Sequence, residues 1–532
     1  MSSGGDVRSP HTGRWSLVWR LIVAGAFLVV LATVPLPPND TDALWYARAA
    51  KAMVASGDWL TPHTDVPPLT LWLMAVSLVL GGDSPAALRL WHILITLALA
   101  VVTYRIARRA AEEEESLLAV VILMTTQQVL FWSLSPKQDI PLTLFLSLAL
   151  YSYLLYRGGG RTGSALAAGV WTALAVLTKG PAALGVFALI VGADLLVAWR
   201  LASPGHWRWA QAAAGAGVFV LVAAPWFLYE AASQGMPFVT QFFLAQSTAA
   251  RFFRGLSVPL PYWIGLAAYV PLLVAGALPW SGFVSGALRE GWRSLREGAA
   301  SLRLCFVWML TIFVVLSLVP GTKSIRYLLP LYPPLAILSA RALITSFGSL
   351  RGLRVPAAAL AALWLPVVVA AGVGIGRSSP EFWIYLPPAV VFTPVVAGFV
   401  LAAYRGQGRL AVAILGVGTL VTYGVFAWTF TQDYAHRWLE PLRTVAVRIE
   451  RRDLPTDRIF IVGEAHLESA IVNYYLTGAE MVPTDEATLR RAWSETGVLA
   501  LLSPDVYWKV APDLQPDILM ETPTGLVFVT NR

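Results

Sequence analysis

Charge is scarce in this sequence of 532 residues: Asp, Glu, Lys and Arg together make up 13% of it, while 57% is hydrophobic. A soluble protein carries about 25% charged residues, so such a chain is poorly suited to covering a large soluble surface. Long apolar runs recur between Trp15 and Phe430, and their lengths are close to the ~20 residues that a helix needs to cross a bilayer. The sequence therefore predicts an α-helical polytopic membrane protein rather than a single-span protein or a β-barrel.

The sequence has few residues that could form a disulfide or bind a metal ion. The chain has one cysteine, Cys305, inside an apolar segment, which excludes a disulfide within one chain and a cysteine-ligated metal site. Asp40 and Asp42 form an Asp-x-Asp pair of the kind that holds a divalent metal, but no other ligands with metal spacing support it. We predict no metal site and no firm cofactor, with a divalent metal left open. The histidines on the predicted outer side are scattered: His63, His436 and His466.

The arginines behind the net charge of +8 fall in short loops between apolar runs. In that position they are topology signals rather than a nucleic-acid surface, and the positive-inside rule assigns their loops to the cytoplasm. The first run, Trp15–Leu36, has no cleavage site and is predicted to be a retained signal anchor with a cytoplasmic N-terminus. The cytoplasmic loops carry Arg105, Arg108 and Arg109; Arg157 and Arg161; Arg200 and Arg208; Arg289, Arg293, Arg296 and Arg303; Arg351 and Arg354; and Arg405 and Arg409.

About thirteen apolar runs are long enough to be predicted as spans. They are Trp15–Leu36, Ala86–Ala107, Ser116–Leu134, Ile140–Tyr156, Gly163–Thr178, Pro181–Trp199, Trp209–Tyr229, Tyr262–Phe283, Leu304–Val319, Tyr327–Leu343, Pro356–Ile375, Phe382–Tyr404 and Leu410–Phe430. A further apolar stretch, Pro68–Gly82, is short for a span, and we predict a helix lying in the membrane interface there.

The composition changes after Asp433, where charge rises and strand-like runs such as RIFIVGE and GLVFVT alternate with helical ones. This pattern predicts a small soluble α/β domain at residues 431–532, on the outer side because the number of spans is odd. Residues 1–430 are the predicted transmembrane domain, and residues 37–85 are its first outer loop. No internal repeat is visible, which argues against an inverted-repeat transporter.

The outer loops hold few charges, so those present stand out. Two are carboxylates, Asp42 after the first span and Asp139 after the third. If the loops converge, cations at the membrane boundary would suit a lipid phosphate, and a nearby carboxylate would activate or orient an acceptor hydroxyl or amine. The pattern thus predicts group transfer from a lipid phosphate. The outer cations are Lys179, Arg251, Arg254, Lys323 and Arg326.

These residues also have simpler interpretations. Asn39, Asp40 or Asp42 could cap the helical segment that follows them. Lys179 and Lys323 could extend from the membrane to the interface.

Other charged residues allow a structural interpretation as well. Arg251 and Arg254 flank two phenylalanines, as on a helix lying on the membrane surface. The four acids of Glu112–Glu115 are predicted to form only a solvated helix start. A flippase or other transporter would need ionisable groups within its spans, and these are few, with Arg89 and Asp194 near span ends.

The order of short motifs resembles the GT-C glycosyltransferases of the aminoarabinose-transferase and protein-mannosyltransferase type, over nearly the whole chain. In that family the first outer loop has an acidic residue, a Tyr and a closing Gly-Asp-Trp, matched by Asp42, Tyr46 and Gly57–Leu60. An aspartate before a later span is matched by Asp139. Further similar motifs are LTKGP, APWF (Ala224–Phe227), ALPW (Ala277–Trp280) and TKSIRYLLPLYPPLAIL.

The resemblance implies a GT-C fold with juxtamembrane helices in the first outer loop. It implies an inverting transfer from an undecaprenyl-phosphate sugar to a lipid, glycan or protein acceptor, at the outer face of a bacterial cytoplasmic (inner) membrane, as in lipid A modification of the cell envelope. Asp42 would be the catalytic aspartate and Asp139 a second one. The implied phosphate-binding cations are Lys179, Lys323, Arg326, Arg251 and Arg254, and the implied substrate-binding residues are Tyr46, Tyr327 and Tyr332.

Two departures from the family pattern matter. Relatives follow Gly-Asp-Trp with a segment ending in Glu-Lys-Pro-Pro, whereas here TPHTDVPPLTLWL lacks that lysine. Ala245, Gln246 and Ser247 stand where relatives often have Glu-His. Either other cations hold the phosphate, or the donor differs, or activity has decayed; we favour the first. A glycan polymerase or ligase that uses pyrophosphate-linked donors is the main enzymatic alternative.

Overall fold

The computed structural model describes residues 10–36, 41–61, 66–82, 84–201, 205–238, 240, 265, 267–297, 299–319, 323–347, 350–372, 380–435, 440–451, 454, 458–463, 480–495, 497–521 and 525–531. The chain forms two compact units. The first comprises Met1–Val34, Asp65–Thr70 and Leu90–Phe426, and the second comprises Pro35–Thr64, Leu71–Arg89 and Ala427–Arg532.

Helices make up most of the described chain. The first helices are α1 (Pro10–Leu31), α2 (Thr41–Ser56), α3 (Leu69–Gly81), α4 (Pro85–Ala107), α5 (Glu113–Met124), α6 (Gln127–Ser133), α7 (Asp139–Gly159), α8 (Thr162–Lys179), α9 (Ala182–Arg200), α10 (Trp209–Gln234) and α11 (Met236–Phe238). They are followed by α12 (Tyr269–Gly276), a 3-10 helix (Ser281–Phe283), α13 (Val284–Glu297), α14 (Ala300–Leu318), a second 3-10 helix (Ile325–Leu331), α15 (Tyr332–Ser346), α16 (Leu350–Gly372), α17 (Pro380–Tyr404) and α18 (Gly408–Tyr434).

The predicted class, a polytopic α-helical membrane protein, is confirmed. In the described residues ten helices are long and apolar enough to cross a membrane, or up to twelve if two bent pairs each count as one span. The remaining member of the thirteen predicted spans corresponds to α8. That helix has the 18 residues of a span, but its glycines, threonines and Lys179 make it less apolar than the others.

Two predicted spans are interrupted. The run Ser116–Leu134 becomes α5 and α6, bent by 60°, and the end of Tyr262–Phe283 lies in a pair bent by 118°. The two breaks bond to each other: the Gln127 N–H donates to the Leu278 carbonyl (2.8 Å), and Trp280 Nε1 donates to Thr125 Oγ1 (2.9 Å). A helix can be interrupted at each of these breaks because the other break supplies hydrogen-bond partners for the polar groups that the interruption frees.

Helix packing in the first unit places several helices at its centre. The helix α5 packs against α1 and α15, and α8 packs against both α7 and α10. The 3-10 helix Ile325–Leu331 contacts α6, α7, α12, α14 and α15. Residues from widely separated parts of the sequence therefore meet around this short element.

The acidic start of α5 is a set of inter-helix ion pairs, and the expectation of a solvated helix start was wrong. Three consecutive glutamates each pair with an arginine from a different helix, which ties α1, α15 and α18 to α5. Such pairs are formed only when the helices are packed, so local sequence does not reveal them. The pairs are Glu113 with Arg20, Glu114 with Arg409 (2.7 and 3.2 Å) and Glu115 with Arg341 (2.9 Å).

In the second unit, the segment predicted to be the first outer loop contains the two helices that the family resemblance implies, α2 and α3. Gly57 ends α2 with a φ of 73°, and the Asp58 carboxylate then accepts from the N–H groups of Leu60 (3.0 Å) and Thr61 (3.1 Å). Trp72 Nε1 donates to the Trp59 carbonyl (2.6 Å), which fixes α3 to this turn. Asp58 is thus a turn-forming residue.

The C-terminal part of the second unit has the predicted α/β character. Its elements are α19 (Glu440–Arg451), β1 (Arg458–Val462), β2 (Glu480–Pro483), α20 (Glu486–Ala492), β3 (Leu499–Leu502), α21 (Pro504–Leu514), β4 (Asp517–Glu521) and β5 (Val527–Thr530). The sheet order is β2-β1-β3-β5-β4, with β2, β1 and β3 parallel and β5 and β4 antiparallel. The central strands β3 and β5 are buried throughout, as expected for strands covered on both faces. The boundary at residues 430/431 stays a prediction.

Candidate functional site

Charged and aromatic side chains from four elements meet at one end of the first unit. We call this group the cationic cluster. It consists of Lys137, Asp139, Lys179 and Arg326, together with the rings of Trp132 and Tyr327.

The pairing of α7 with α8 explains how Asp139 and Lys179 come together. The two helices pack side by side and are joined by the short segment Gly160–Arg161, so the start of α7 lies beside the end of α8. Each side chain also suits its helix end, since an acid is favoured at an N-terminus and a cation at a C-terminus. Gly180, with a φ of 86°, then ends α8.

Asp139 and Lys179 form an ion pair at this end of the unit. The Asp139 side chain is 7% exposed, whereas that of Lys179 is 26% exposed. The carboxylate is therefore enclosed by protein, while part of the ammonium remains accessible. The arrangement holds a cation in a fixed position with one side open.

Two aromatic rings hold the cations of the cluster. Lys179 Nζ lies 5.0 Å from the centre of the Tyr327 ring, and the Arg326 guanidinium lies 5.7 Å from the same ring. Arg326 also lies 6.0 Å from the Trp132 ring, and Lys137 Nζ lies 5.1 Å from it. Aromatic faces attract cations without neutralising them, so these ring contacts position the cations of the cluster.

The loop before α7 adds buried polar atoms. Ser135 and Gln138 are 3% and 7% exposed, and Ser135 Oγ and Gln138 Nε2 have no hydrogen-bond partner among the described residues. A buried donor without a hydrogen-bond partner lowers the free energy of unfolding by about 1–3 kcal/mol. Such a donor is therefore expected to have a ligand or another partner. Two such atoms beside Lys137 and Asp139 suit a bound polar group.

Lys323 has a different environment from Lys179. Its ammonium donates to the carbonyls of Leu316 (2.8 Å), Ser317 (3.1 Å) and Val319, at the end of α14. It also lies 5.1 Å from the Tyr269 ring, and burial lowers its pKa below the ordinary value. Because its three protons are already donated to carbonyls, Lys323 serves as a C-terminal cap of α14 in this structure.

Other predicted site residues are located as follows. Tyr332 is 1% exposed, with its hydroxyl beside Gly276, where it presents no surface to a substrate. Asp42 is half-buried in the first turn of α2, and Tyr46 lies one turn further along. Arg251 and Arg254 lie outside the described residues, as do Asn39, Asp40 and the three outer histidines.

Sequence reasoning missed four members of this site: Trp132, Ser135, Lys137 and Gln138. Ser135, Lys137 and Gln138 belong to the stretch SPKQD, whose run of polar residues between apolar segments is an available signal. Trp132 has no such signal, because it stands in an apolar run like many other aromatic residues of the chain. Within the described ranges, no group of three or more His, Cys, Asp or Glu is placed to hold a metal ion, and we assign none to the cluster.

Comparisons with known proteins agree with this architecture. The family model described as dolichyl-phosphate-mannose-protein mannosyltransferase matches residues 65–229. An undecaprenyl phosphate-alpha-4-amino-4-deoxy-L-arabinose arabinosyl transferase of Edwardsiella ictaluri is 29% identical over 329 residues, which cover 59% of this chain and 57% of that protein. The match thus spans less than two thirds of the length of this relative.

Solved structures show the same fold. ArnT from Cupriavidus metallidurans, bound to undecaprenyl phosphate, aligns with a TM-score of 0.79 at 21% identity, over 96% of this chain and 97% of that one. The archaeal oligosaccharyltransferase AglB from Archaeoglobus fulgidus aligns with a TM-score of 0.51 at 13% identity, over 98% of this chain and 75% of that one.

The fold is that of a polytopic membrane protein, and it is the GT-C fold of ArnT. In sequence, the chain is similar to the undecaprenyl-phosphate aminoarabinose transferases and, over residues 65–229, to the protein-mannosyltransferase family model.

Proposed function

We propose that the chain is an integral-membrane glycosyltransferase. It moves a sugar from a polyprenyl-phosphate donor, undecaprenyl phosphate by likeness to its relatives, to a lipid, glycan or protein acceptor. The observation that carries this proposal is the cationic cluster, in which Lys179 is held by Asp139 and Tyr327 with part of its ammonium accessible.

The cationic cluster is placed to stabilise the negative charge of the departing phosphate. Breaking the bond between the anomeric carbon and the phosphate oxygen leaves its electron pair on the polyprenyl phosphate. Lys179 and Arg326 stabilise that growing negative charge, and they do so effectively because the aromatic rings and Asp139 fix them in advance. Gln138 Nε2 and Ser135 Oγ offer further donors to the donor headgroup.

In this proposal, two other cations take the place of the lysine that relatives carry after Gly-Asp-Trp. Lys137 brings a cation from the loop before α7, and Arg326 brings one from the 3-10 helix. Asp139 acts through Lys179, so we assign it a positioning role rather than a direct catalytic one. Lys323 is assigned to capping α14.

Asp42 is proposed to activate or orient the acceptor. The acceptor atom attacks the anomeric carbon from the face opposite the phosphate, so a single displacement inverts its configuration. Asp42 takes the proton of a hydroxyl or amine acceptor, or orients an acceptor that is itself a phosphate and needs no base. Tyr46, one turn further along α2, is proposed to contact the substrate.

The proposed location is the outer face of a bacterial cytoplasmic membrane. The cluster lies at the start of α7 and the end of α8, whereas Arg157 and Arg161 lie at the opposite ends of these helices. The positive-inside rule assigns the arginine-bearing end to the cytoplasm and the cluster to the outside. The same reasoning supports a cytoplasmic N-terminus and an extracytoplasmic domain at residues 431–532.

Transfer by the purified full-length chain tests the proposal. In phosphatidylcholine vesicles with a radiolabelled undecaprenyl-phosphate sugar, Asp42→Asn is expected to lower transfer at least about a hundredfold, as for the loss of a general base. Asp58→Asn is the matched control, because Asp58 forms a turn in the same loop, and it should keep activity. Full activity of Asp42→Asn, with normal elution on size exclusion, would overturn the role of Asp42.

The donor set separates this function from its alternatives. The proposal expects product only from monophosphate-linked sugars. Product only from pyrophosphate-linked sugars would indicate a polymerase or ligase. Movement of the lipid-linked sugar across the vesicle membrane, with no new glycosidic bond, would indicate a flippase.

A further inference from the structure

The second unit contains a pocket on α2 that the proposed chemistry does not use. It is lined by Trp45, Arg48, Ala49 and Ala52 and has a cavity volume of ≈ 60 Å³. Clefts that enclose a whole drug-sized ligand measure about 300–1,000 Å³. The pocket therefore suits a single small group rather than a whole headgroup, lipid or oligosaccharide.

The sequence of α2 explains why these four residues line the same pocket. Residues three, four and seven positions apart share one face of a helix, and the lining residues have this spacing. Ala49 and Ala52 are small, so they form a floor. Trp45, which is 41% exposed, forms a wall. Asp42 precedes Trp45 by three residues and Ala49 by seven, so the pocket continues along the face that begins with Asp42.

The pocket carries the positive charge of Arg48, and no carboxylate of the described residues pairs with it. In the described part of the chain, Arg48 has one recorded side-chain contact, its guanidinium lying 5.6 Å from the Trp45 ring. Burial lowers the pKa of Arg48 below its ordinary value, although an arginine stays charged at neutral pH. A half-buried guanidinium beside an aromatic wall is a favourable partner for an anion.

We infer that this Trp45–Arg48 pocket binds an anionic group on the acceptor and thereby selects the acceptor. The inference rests on the proposed function. Arg48 recognises the charge, Trp45 packs against the ring or chain that bears it, and the two alanines set the size of the group admitted. Trp45 and Arg48 are then specificity-determining residues, one to two helical turns beyond Asp42.

A matched pair of acceptors tests the pocket: a glycolipid with a phosphate monoester on its sugar, and the same glycolipid without the phosphate. Transfer is measured in neutral phosphatidylcholine vesicles. Arg48→Gln is expected to raise the KM for the phosphorylated acceptor about tenfold or more, as for a lost charge-assisted hydrogen bond. The KM for the dephosphorylated acceptor and for the donor should not change, and Arg48→Lys should recover part of the loss.

The control removes the same charge elsewhere on α2. Lys51 is not among the lining residues and lies on the opposite side of the helix from Asp42, so Lys51→Gln should leave both KM values unchanged. The inference is overturned if wild-type protein shows no preference for the phosphorylated acceptor, if Arg48→Gln keeps that preference, or if Lys51→Gln loses it equally. Adding phosphatidylglycerol to the vesicles should not abolish the preference; if it does, the pocket binds bulk lipid headgroups instead.

A binding measurement tests the pocket without requiring sugar transfer. Binding of the two glycolipids to the intact protein in nanodiscs is followed by native mass spectrometry, for wild type, Arg48→Gln and Ala52→Leu. Both variants should lose the phosphate preference, the first by charge and the second by filling the pocket. Retained preference in both refutes the pocket even if Asp42→Asn proves inactive, whereas lost preference supports it even if the donor proves to be pyrophosphate-linked.

Discussion

The Asp139 carboxylate is held by the ammonium of Lys179, forty residues further along the chain, across the adjacent ends of two consecutive helices. The pair is asymmetric, because Asp139 is enclosed and Lys179 is partly open. An enclosed acid that fixes an open cation is a way to orient positive charge toward a ligand. The first two predictions follow from this relationship.

Asp139→Asn should weaken donor binding by releasing Lys179. We expect the KM for the polyprenyl-phosphate donor to rise about tenfold with a smaller change in kcat, since one charge-assisted interaction is lost. Asp139→Glu should restore most of the affinity. In a double-mutant cycle with Lys179→Gln the two effects should not add, and additive effects would show that Asp139 acts by a separate route.

Lys179→Gln and Lys323→Gln should separate two lysines that look alike in sequence. Lys179→Gln is expected to raise the donor KM about tenfold or more with little change in melting temperature. Lys323→Gln should instead lower the melting temperature, because three carbonyls at the end of α14 lose their donor, and it should leave the donor KM unchanged.

Steady-state kinetics and thermal unfolding in the same detergent check both lysine variants. A higher donor KM in Lys323→Gln with an unchanged melting temperature would return Lys323 to the phosphate site. An unaltered donor KM in Lys179→Gln would remove Lys179 from it.

Arg409→Gln should destabilise the packing of α18 on α5. Arg409 bonds both oxygens of Glu114 (2.7 and 3.2 Å), and the Glu114 side chain is 12% exposed. Leaving that carboxylate without its arginine should cost about 1–3 kcal/mol, observed as a lower melting temperature. The charge exchange Glu114→Arg with Arg409→Glu should recover part of the loss. An unchanged melting temperature in Arg409→Gln would show that the pair is not stabilising.

Asn531→Ala should loosen the C-terminal α/β part. The Asn531 side chain accepts from the N–H groups of Gly497 (3.0 Å) and Val498 (2.8 Å) and donates to the carbonyls of Trp493 (2.9 Å) and Glu495. Losing these bonds should cost about 1–3 kcal/mol and speed limited proteolysis near β5 in the full-length chain. Asn531→Asp keeps an acceptor but loses the amide donor, so its rate of proteolysis should fall between those of wild type and Asn531→Ala. Equal proteolysis of all three proteins would contradict the assignment.

Most of the helices could be predicted from apolar runs, because a bilayer demands a length and hydrophobicity that few other structures share. The breaks in Ser116–Leu134 and Tyr262–Phe283 could not, because each depends on hydrogen bonds from the other, more than a hundred residues away. The ion pairs of Glu113, Glu114 and Glu115 escaped prediction for the same reason, since their partners come from three distant helices.

The candidate site divides in a similar way. Its charged residues Asp139, Lys179 and Arg326 stood out in sequence because charge is rare in the loops predicted to be outer. Their pairing, and the difference between Lys179 and Lys323, depends on which helix end each ammonium reaches. Lys179 ends its own helix beside the start of another, whereas Lys323 folds back onto the carbonyls that precede it.

By itself, the sequence determined a polytopic helical membrane protein with a small α/β part and a few conspicuous outer charges, because hydrophobic length and local charge are properties of short segments. Tertiary structure decided which cations face an anion and which cap a helix, and it placed Trp132, Lys137 and Gln138 around them. Those outcomes depend on hydrogen bonds and ring contacts between distant segments, which exist only once the helices have packed.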